Sequence, residues 1–283
     1  MRVLAVRTLP LLIVLGMGVA GCGDPRPADP RQAEPPATAT SSDPSPATPS
    51  TAAPDPAETA VSPDPGETAD ASPGPGESLI AGHYHPLWPF AGPAEAAAWQ
   101  RAHQADGRGA WHLDAGRTAV AFSRDYLGFT EIDQAVKVVK DGEHARVHVG
   151  YRAEEGPEPL VAAVVHLMRY GKGKDAPWEV VGTDDTSLTL TKPAYGASAS
   201  SPLTVGGRIT GVDESIRVQV LHPGADGPLG ERCCLSAGGE KAAWTAKVDF
   251  TAQPGGTLTV VASTGGHVAT VERFAVTGVT LPS

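Results

Sequence analysis

The rhythm of hydrophobic and polar positions changes three times along this chain. Leu9 to Val19 is an apolar run broken only by Pro10 and glycines, shorter than the roughly 20 residues that a membrane-spanning helix needs. Gly23 to Ser78 holds a single large aliphatic side chain, Val61, and no aromatic. Such a stretch cannot bury enough apolar surface to offset ordering entropy, so a disordered linker is expected. Folded sequence begins at Leu79 and Ile80. Pro93 suits a first helical turn, and Ala94–Ala105 is rich in helix formers and stops at Gly107. A second helix is predicted over Ala115–Leu127, with Asp114 as N-cap, Gly128 as stop, and Ala119, Phe122 and Tyr126 on one face.

From Gln134 the period becomes two. Strands are predicted over Gln134–Lys140, Glu143–Arg152, Leu160–Tyr170 and Trp178–Gly182, with Asp141-Gly142 as a hairpin turn. In the second of these, Ala145, Val147, Val149 and Tyr151 alternate with His144, Arg146, His148 and Arg152, giving one buried face and one wet or cleft-lining face. Two helices followed by four antiparallel strands predict an α+β domain, helices on a bent antiparallel sheet. Asp184-Asp185 reads as a solvated turn, and the helical pattern then ends for good. Seven short strands are expected, at Ser187–Thr191, Leu203–Ile209, Ser215–Leu221, Arg232–Ser236, Ala243–Phe250, Thr257–Ser263 and Val268–Thr277. Their spacing and turns predict an all-β sandwich. The organisation is therefore residues 1–21 as signal peptide, 22–78 as linker, 79–186 as the α+β domain and 187–283 as the sandwich.

Charge narrows the partners. The linker from Gly23 to Ser78 carries ten acids, two bases and 14 prolines, whereas Leu79–Ser283 carries 22 acids and 18 bases. A nearly balanced folded part has no electrostatic footprint for nucleic acid. The linker repeats imperfectly, as Pro54-Asp-Pro-Ala-Glu-Thr-Ala60, Pro63-Asp-Pro-Gly-Glu-Thr-Ala69 and Pro73-Gly-Pro-Gly-Glu-Ser78, the mark of spacer expansion. Its reach would be at most about 170 Å if polyproline-like and about 40 Å as a coil. There is no asparagine, and 15 arginines stand against seven lysines, which points to a GC-rich, actinobacterial genome.

Arg2 and Arg7 precede the apolar run, and Val19-Ala20-Gly21-Cys22 follows it. The arrangement resembles a bacterial lipobox. The resemblance implies a cleaved signal peptide, a fatty acyl group (palmitate) on the Cys22 sulfur, and a lipid anchor on the extracytoplasmic face of the cell membrane. Cys233 and Cys234 remain, adjacent to one another. Neighbouring Cα atoms sit about 3.8 Å apart, below the usual disulfide span of roughly 4.4–6.8 Å. A vicinal disulfide, two free thiols on opposite strand faces, and intermolecular pairing all stay open.

Two resemblances concern the folded part. Leu190-Thr191-Lys192-Pro193, then Ser201-Pro202-Leu203-Thr204-Val205-Gly206-Gly207, then alternating Ile216, Val218 and Val220, resemble the immunoglobulin-like domain associated with bacterial spore germination proteins. Val248-Asp249-Phe250 and Thr257-Leu258-Thr259-Val260 fit its later strands. That family is a binding or structural module, and the Cys233-Cys234 pair departs from it. The α+β part, ending in Trp178-Glu179-Val180-Val181-Gly182, resembles the nuclear-transport-factor-like or cystatin-like cone shape, whose members include enzymes and non-enzymes.

Candidate chemistry is sparse. His83 and His85 are two apart without a nearby carboxylate, and aromatic packing explains them. His144 and His148 share a strand face about 13 Å apart, too far to chelate one ion but placed to line a pocket. Gly171–Ala176 joins two strands and runs into Pro177, so no helix N-terminus exists there to hold phosphate. Gly196–Ser200 is a loop and lacks the second glycine of a nucleophile elbow. No catalytic residue, metal or cofactor is expected. The expected role is a surface-anchored envelope lipoprotein that binds a cell-wall polymer or envelope protein, with a link to sporulation or germination implied by the resemblance. The competing reading is a small-ligand hydrolase or isomerase using a pocket of Trp99, Tyr126, His144 and His148. A transporter's solute-binding lipoprotein fits worst, for no βαβ rhythm appears.

Overall fold

The computed structural model describes residues 79–154 and 156–282; the lipobox-like segment with Cys22, the signal-like run and the proline-rich stretch expected as a linker lie outside them. Helix α1 covers Pro93–Asp106 and ends at Gly107, whose left-handed φ of 74° lets its N–H reach the His103 carbonyl. Helix α2 covers only Ala115–Ala121. Asp114 caps it, one carboxylate oxygen accepting from the Arg117 N–H at 2.9 Å. The predicted helix continues as a wider turn over Phe122–Tyr126, where the Leu127 N–H bonds the Phe122 carbonyl five residues back. The chain there still buries Phe122 and Leu127.

Four strands form the first sheet, β1 (Gln134–Asp141), β2 (His144–Tyr151), β3 (Leu160–Arg169) and β4 (Trp178–Asp184), antiparallel in chain order. The hairpin register sets His144 opposite Met168, Arg146 opposite His166 and His148 opposite Val164. β4 runs two residues past its predicted end. Asp184 is not a solvated turn residue but part of the sheet, with an oxygen 2.6 Å from the Arg146 Nε.

The second sheet also has four antiparallel strands, β5 (Leu203–Leu221), β6 (Gly230–Val248), β7 (Thr257–Thr264) and β8 (Arg273–Thr280), in the order β6-β5-β7-β8. Four of the expected short strands fuse into β5 and β6. A straight 19-residue strand would be about 60 Å long, yet the two ends of β6 meet. The Thr251 N–H bonds the Leu229 carbonyl at 3.2 Å, so the β5–β6 ribbon folds over on itself. The pairing register breaks at Ile209–Gly211 and Gly211–Glu214, and the left-handed φ values of Asp213, Gly239 and Lys241 mark the same bend. Ser187–Thr191 contributes only isolated pairings, Leu188 with Ile209 and the following Lys192 with Gly206. β8 begins at Arg273 rather than Val268 because Glu272 ties up the preceding turn, accepting from the His267 and Val268 N–H groups at 2.7 Å. Burial pushes that carboxyl up, but these backbone donors hold it below the usual carboxylate range.

Two cores result. One lies between the halves of the folded ribbon and holds Ile209, Ile216, Val218, Trp244, Leu258 and Val260. The other joins the two sheets, with Phe122, Val147, Val165 and Trp178 meeting Val261, Phe274 and Val276. β7 and β8 are thus buried on both faces, and their burial is almost unbroken although Thr259, Ser263, Thr264 and Thr277 interrupt the apolar side chains.

Candidate functional site

The outer face of the first sheet carries the polar half of the β2 alternation. His144 and His166 sit diagonally across the β2–β3 pair, with the Nδ1 of the first and the Nε2 of the second 3.1 Å apart. One ring donates and the other accepts, so the bond requires at least one deprotonated nitrogen. Tyr84 closes over both rings edge-on, with centroids at 6.0 and 5.1 Å. Alongside, Arg146 is held by Asp184.

Tyr84 comes from the segment before α1. Ile80 and Tyr84 close a small loop through paired backbone bonds, and Leu87 and Trp88 then hydrogen-bond to Val180 at the β4 edge. His85 packs on Tyr195, whose hydroxyl accepts from the His85 N–H at 2.9 Å and donates to its carbonyl at 3.3 Å. Gly196 beside it has φ 72°, and a Cβ there would lie 2.6 Å from the His85 Nε2, so the corner requires glycine. Between these groups opens a pocket of about 240 Å³, lined among others by Tyr84, His166, Thr183, Pro193, Tyr195 and Thr277. Thr183 ties its floor to the second sheet, its hydroxyl accepting from the Val276 N–H at 2.9 Å.

The site is electrically neutral where it is deepest. Burial, with the Arg146 guanidinium and the His144 ring beside it, pulls His166 down to about 3. Burial likewise lowers His85 and raises the Tyr195 phenol above its ordinary range. The His85 backbone occupies the Tyr195 hydroxyl and His144 occupies the His166 Nε2, so the pocket meets a neutral, hydroxyl-rich ligand chiefly with the flat apolar walls of Tyr84, Tyr195 and Pro193. Among the described residues no group of three or more His, Cys, Asp or Glu is placed to hold a metal ion.

The low His166 value fixes the sign of a pH effect. An unfolded chain binds a proton near 6.5 whereas the folded one resists to about 3, so stability is complete above 6.5 and falls as pH drops through that window. His112, pulled to about 4 by burial and by His103, acts in the same direction. His166→Gln is therefore expected to lose less of its urea midpoint between pH 7 and pH 5 than the native chain does. An equal loss in both would refute the assignment.

The four residues expected to share a pocket do not converge. Tyr126 lies on the inner side of the first sheet, stacked near Trp88 and hydrogen-bonded to Thr259 at 3.4 Å. Trp99 belongs to a third cluster, stacked on His103 and tilted against Phe90. His144 and His148 share the outer face, and only His144 enters the histidine pair. Glu179, a strand residue given no role from the sequence, is fully buried. Burial pushes its carboxyl well above the usual range, while the Phe90 N–H bonds one oxygen at 3.2 Å and the other stays buried without a partner among the described residues. His166 was legible only as the single ring nitrogen carrier in the apolar run of β3, and Tyr195 had no periodic signal at all. Cys233 and Cys234 are joined by a disulfide, with Cα atoms 3.7 Å apart. Comparison of the chain with protein-family models, with curated proteins and with solved structures returns no match in any of the three.

Proposed function

We propose that this chain is an envelope lipoprotein, anchored through Cys22 to the outer side of the cell membrane, that binds a hydroxyl-rich cell-wall polymer and performs no catalysis. The observation that carries the proposal is the run from Arg2 to Cys22, ending in Val19-Ala20-Gly21-Cys22 and followed at once by the acidic, proline-rich linker. An extracytoplasmic address brings the folded part among polysaccharides and peptidoglycan. The neutral pocket of Tyr84, His166, Pro193 and Tyr195 supports a carbohydrate ligand, since its volume suits one sugar unit. We read the folded ribbon with β7 and β8 as an immunoglobulin-like sandwich, and the first sheet with α2 as the cone-like unit. The association with spore germination travels with that immunoglobulin-like reading.

Co-sedimentation of the full chain with purified cell-wall sacculi tests the proposal. Native protein should pellet, and Tyr195→Ala, at a 41% exposed position, should weaken binding by roughly tenfold, the loss of about 1.4 kcal/mol from one aromatic wall. Recovery no greater than that of a chain ending at Ser78 would overturn it.

A further inference from the structure

We infer that Cys233–Cys234 is a thiol–disulfide exchange site, open to small thiols through the cleft it lines and assisted by Arg217. The disulfide lies on β6, an edge strand of the second sheet. Pairing jumps from Ile216–Leu235 to Val218–Arg232, so both cysteines stand opposite the single residue Arg217. That is a β-bulge, the device that re-aims side chains at sheet edges. Cys234 adopts φ 70°, a left-handed conformation unusual outside glycine, and its side is exposed whereas Cys233 is half-buried.

The two sulfur-bearing residues line a cleft of about 390 Å³ together with Ser215, Arg217, Gln219 and Thr264, and with Phe129 from the end of the helical region. A structural bridge is normally buried away from attacking thiols; this one faces an open polar cleft that Arg217 also lines. Glu231 holds Arg217 at 2.8 Å and Gln219 at 2.9 Å, fixing the cation next to the bulge.

A small thiol's deprotonated form attacks the sulfur of Cys234, the more exposed residue of the pair, forming a mixed disulfide and breaking the Cys233–Cys234 bond. The bonding pair leaves on Cys233 as a thiolate, an anion that a neighbouring guanidinium favours. A second thiolate then attacks the mixed disulfide, releasing the oxidised small disulfide and leaving Cys234 as a thiolate. Two protons restore both thiols, so two small thiols are oxidised as one protein disulfide is reduced. Arg217 acts here as a positioning residue, through charge rather than contact with the reacting bond.

The test incubates the native full chain with millimolar free cysteine at neutral pH, quenches with a maleimide and maps the labelled peptides, which separates Cys22 from the pair. Labels are expected on both Cys233 and Cys234 while the near-ultraviolet circular dichroism keeps its folded signature. Arg217→Met should slow labelling roughly threefold or more through a poorer leaving thiolate, and Arg217→Lys should keep the native rate. Labelling that begins only at denaturant concentrations that unfold the chain overturns the inference, as does an Arg217→Met rate equal to the native one.

Discussion

Phe274→Ala is expected to cost about 3–5 kcal/mol of folding free energy, the usual loss when a large aromatic is deleted from a packed core. Phe274 is 1% exposed and its ring lies 5.3 Å from that of Phe129. It stands in the core that joins β8 to the first sheet, while the next residue, Ala275, packs into the core of the folded ribbon. The cavity would therefore weaken the contact between sheets from the side on which both depend. The measurement is denaturant unfolding followed by tryptophan fluorescence, because Trp178 reports the shared core and Trp244 the ribbon core. A single transition with a lowered midpoint is the expected result. Two separated transitions, with Trp244 unaffected, would show that the second sheet does not draw stability from the first.

Glu214→Ala is expected to be as damaging, at about 3–5 kcal/mol, because it would strand a partly buried cation without its partner. Glu214 is 3% exposed. Its carboxylate is paired with the Arg273 guanidinium and accepts from the Thr264 hydroxyl at 2.6 Å. Arg273 also donates to the Thr210 carbonyl at 2.7 Å. These contacts tie the bend of β5 to the end of β7 and the start of β8, which is why the ribbon folds at that point. The double variant Glu214→Ala, Arg273→Met should recover part of the loss, since removing both charges removes the desolvation problem. Thermal unfolding of the two variants decides it. A loss below about 1 kcal/mol in the single variant would show the pair to be dispensable, as exposed pairs are.

Much of the candidate site escaped the linear pattern for one reason: it is assembled across strands and across the two sheets. His144 was visible because it alternates with Ala145 and Val147 on β2. Its partner His166 depends on the β2–β3 register, which a bulge between Val149 and Gly150 shifts at one end of the pair. Tyr84 and Tyr195 are 111 positions apart in numbering and meet because each packs against the same β4 edge, a relation with no periodic trace. Tyr126, by contrast, has a clear helical signal, and that signal places it in the core with Trp88 rather than beside the histidines.

By itself the sequence determined the local elements of the first sheet. Period-two alternation needs only one buried face, and the Asp141-Gly142 turn fixes which strands neighbour each other. Gly107 ends α1 and Asp114 starts α2 through groups that lie within a few residues of one another. Tertiary structure alone decided that four short strands would fuse into one folded ribbon, that β7 and β8 would be covered on both faces, and that the disulfide would occupy a bulge facing Arg217. Each of those outcomes depends on contacts between residues far apart in the chain, where burial and charge pairing outweigh local preference.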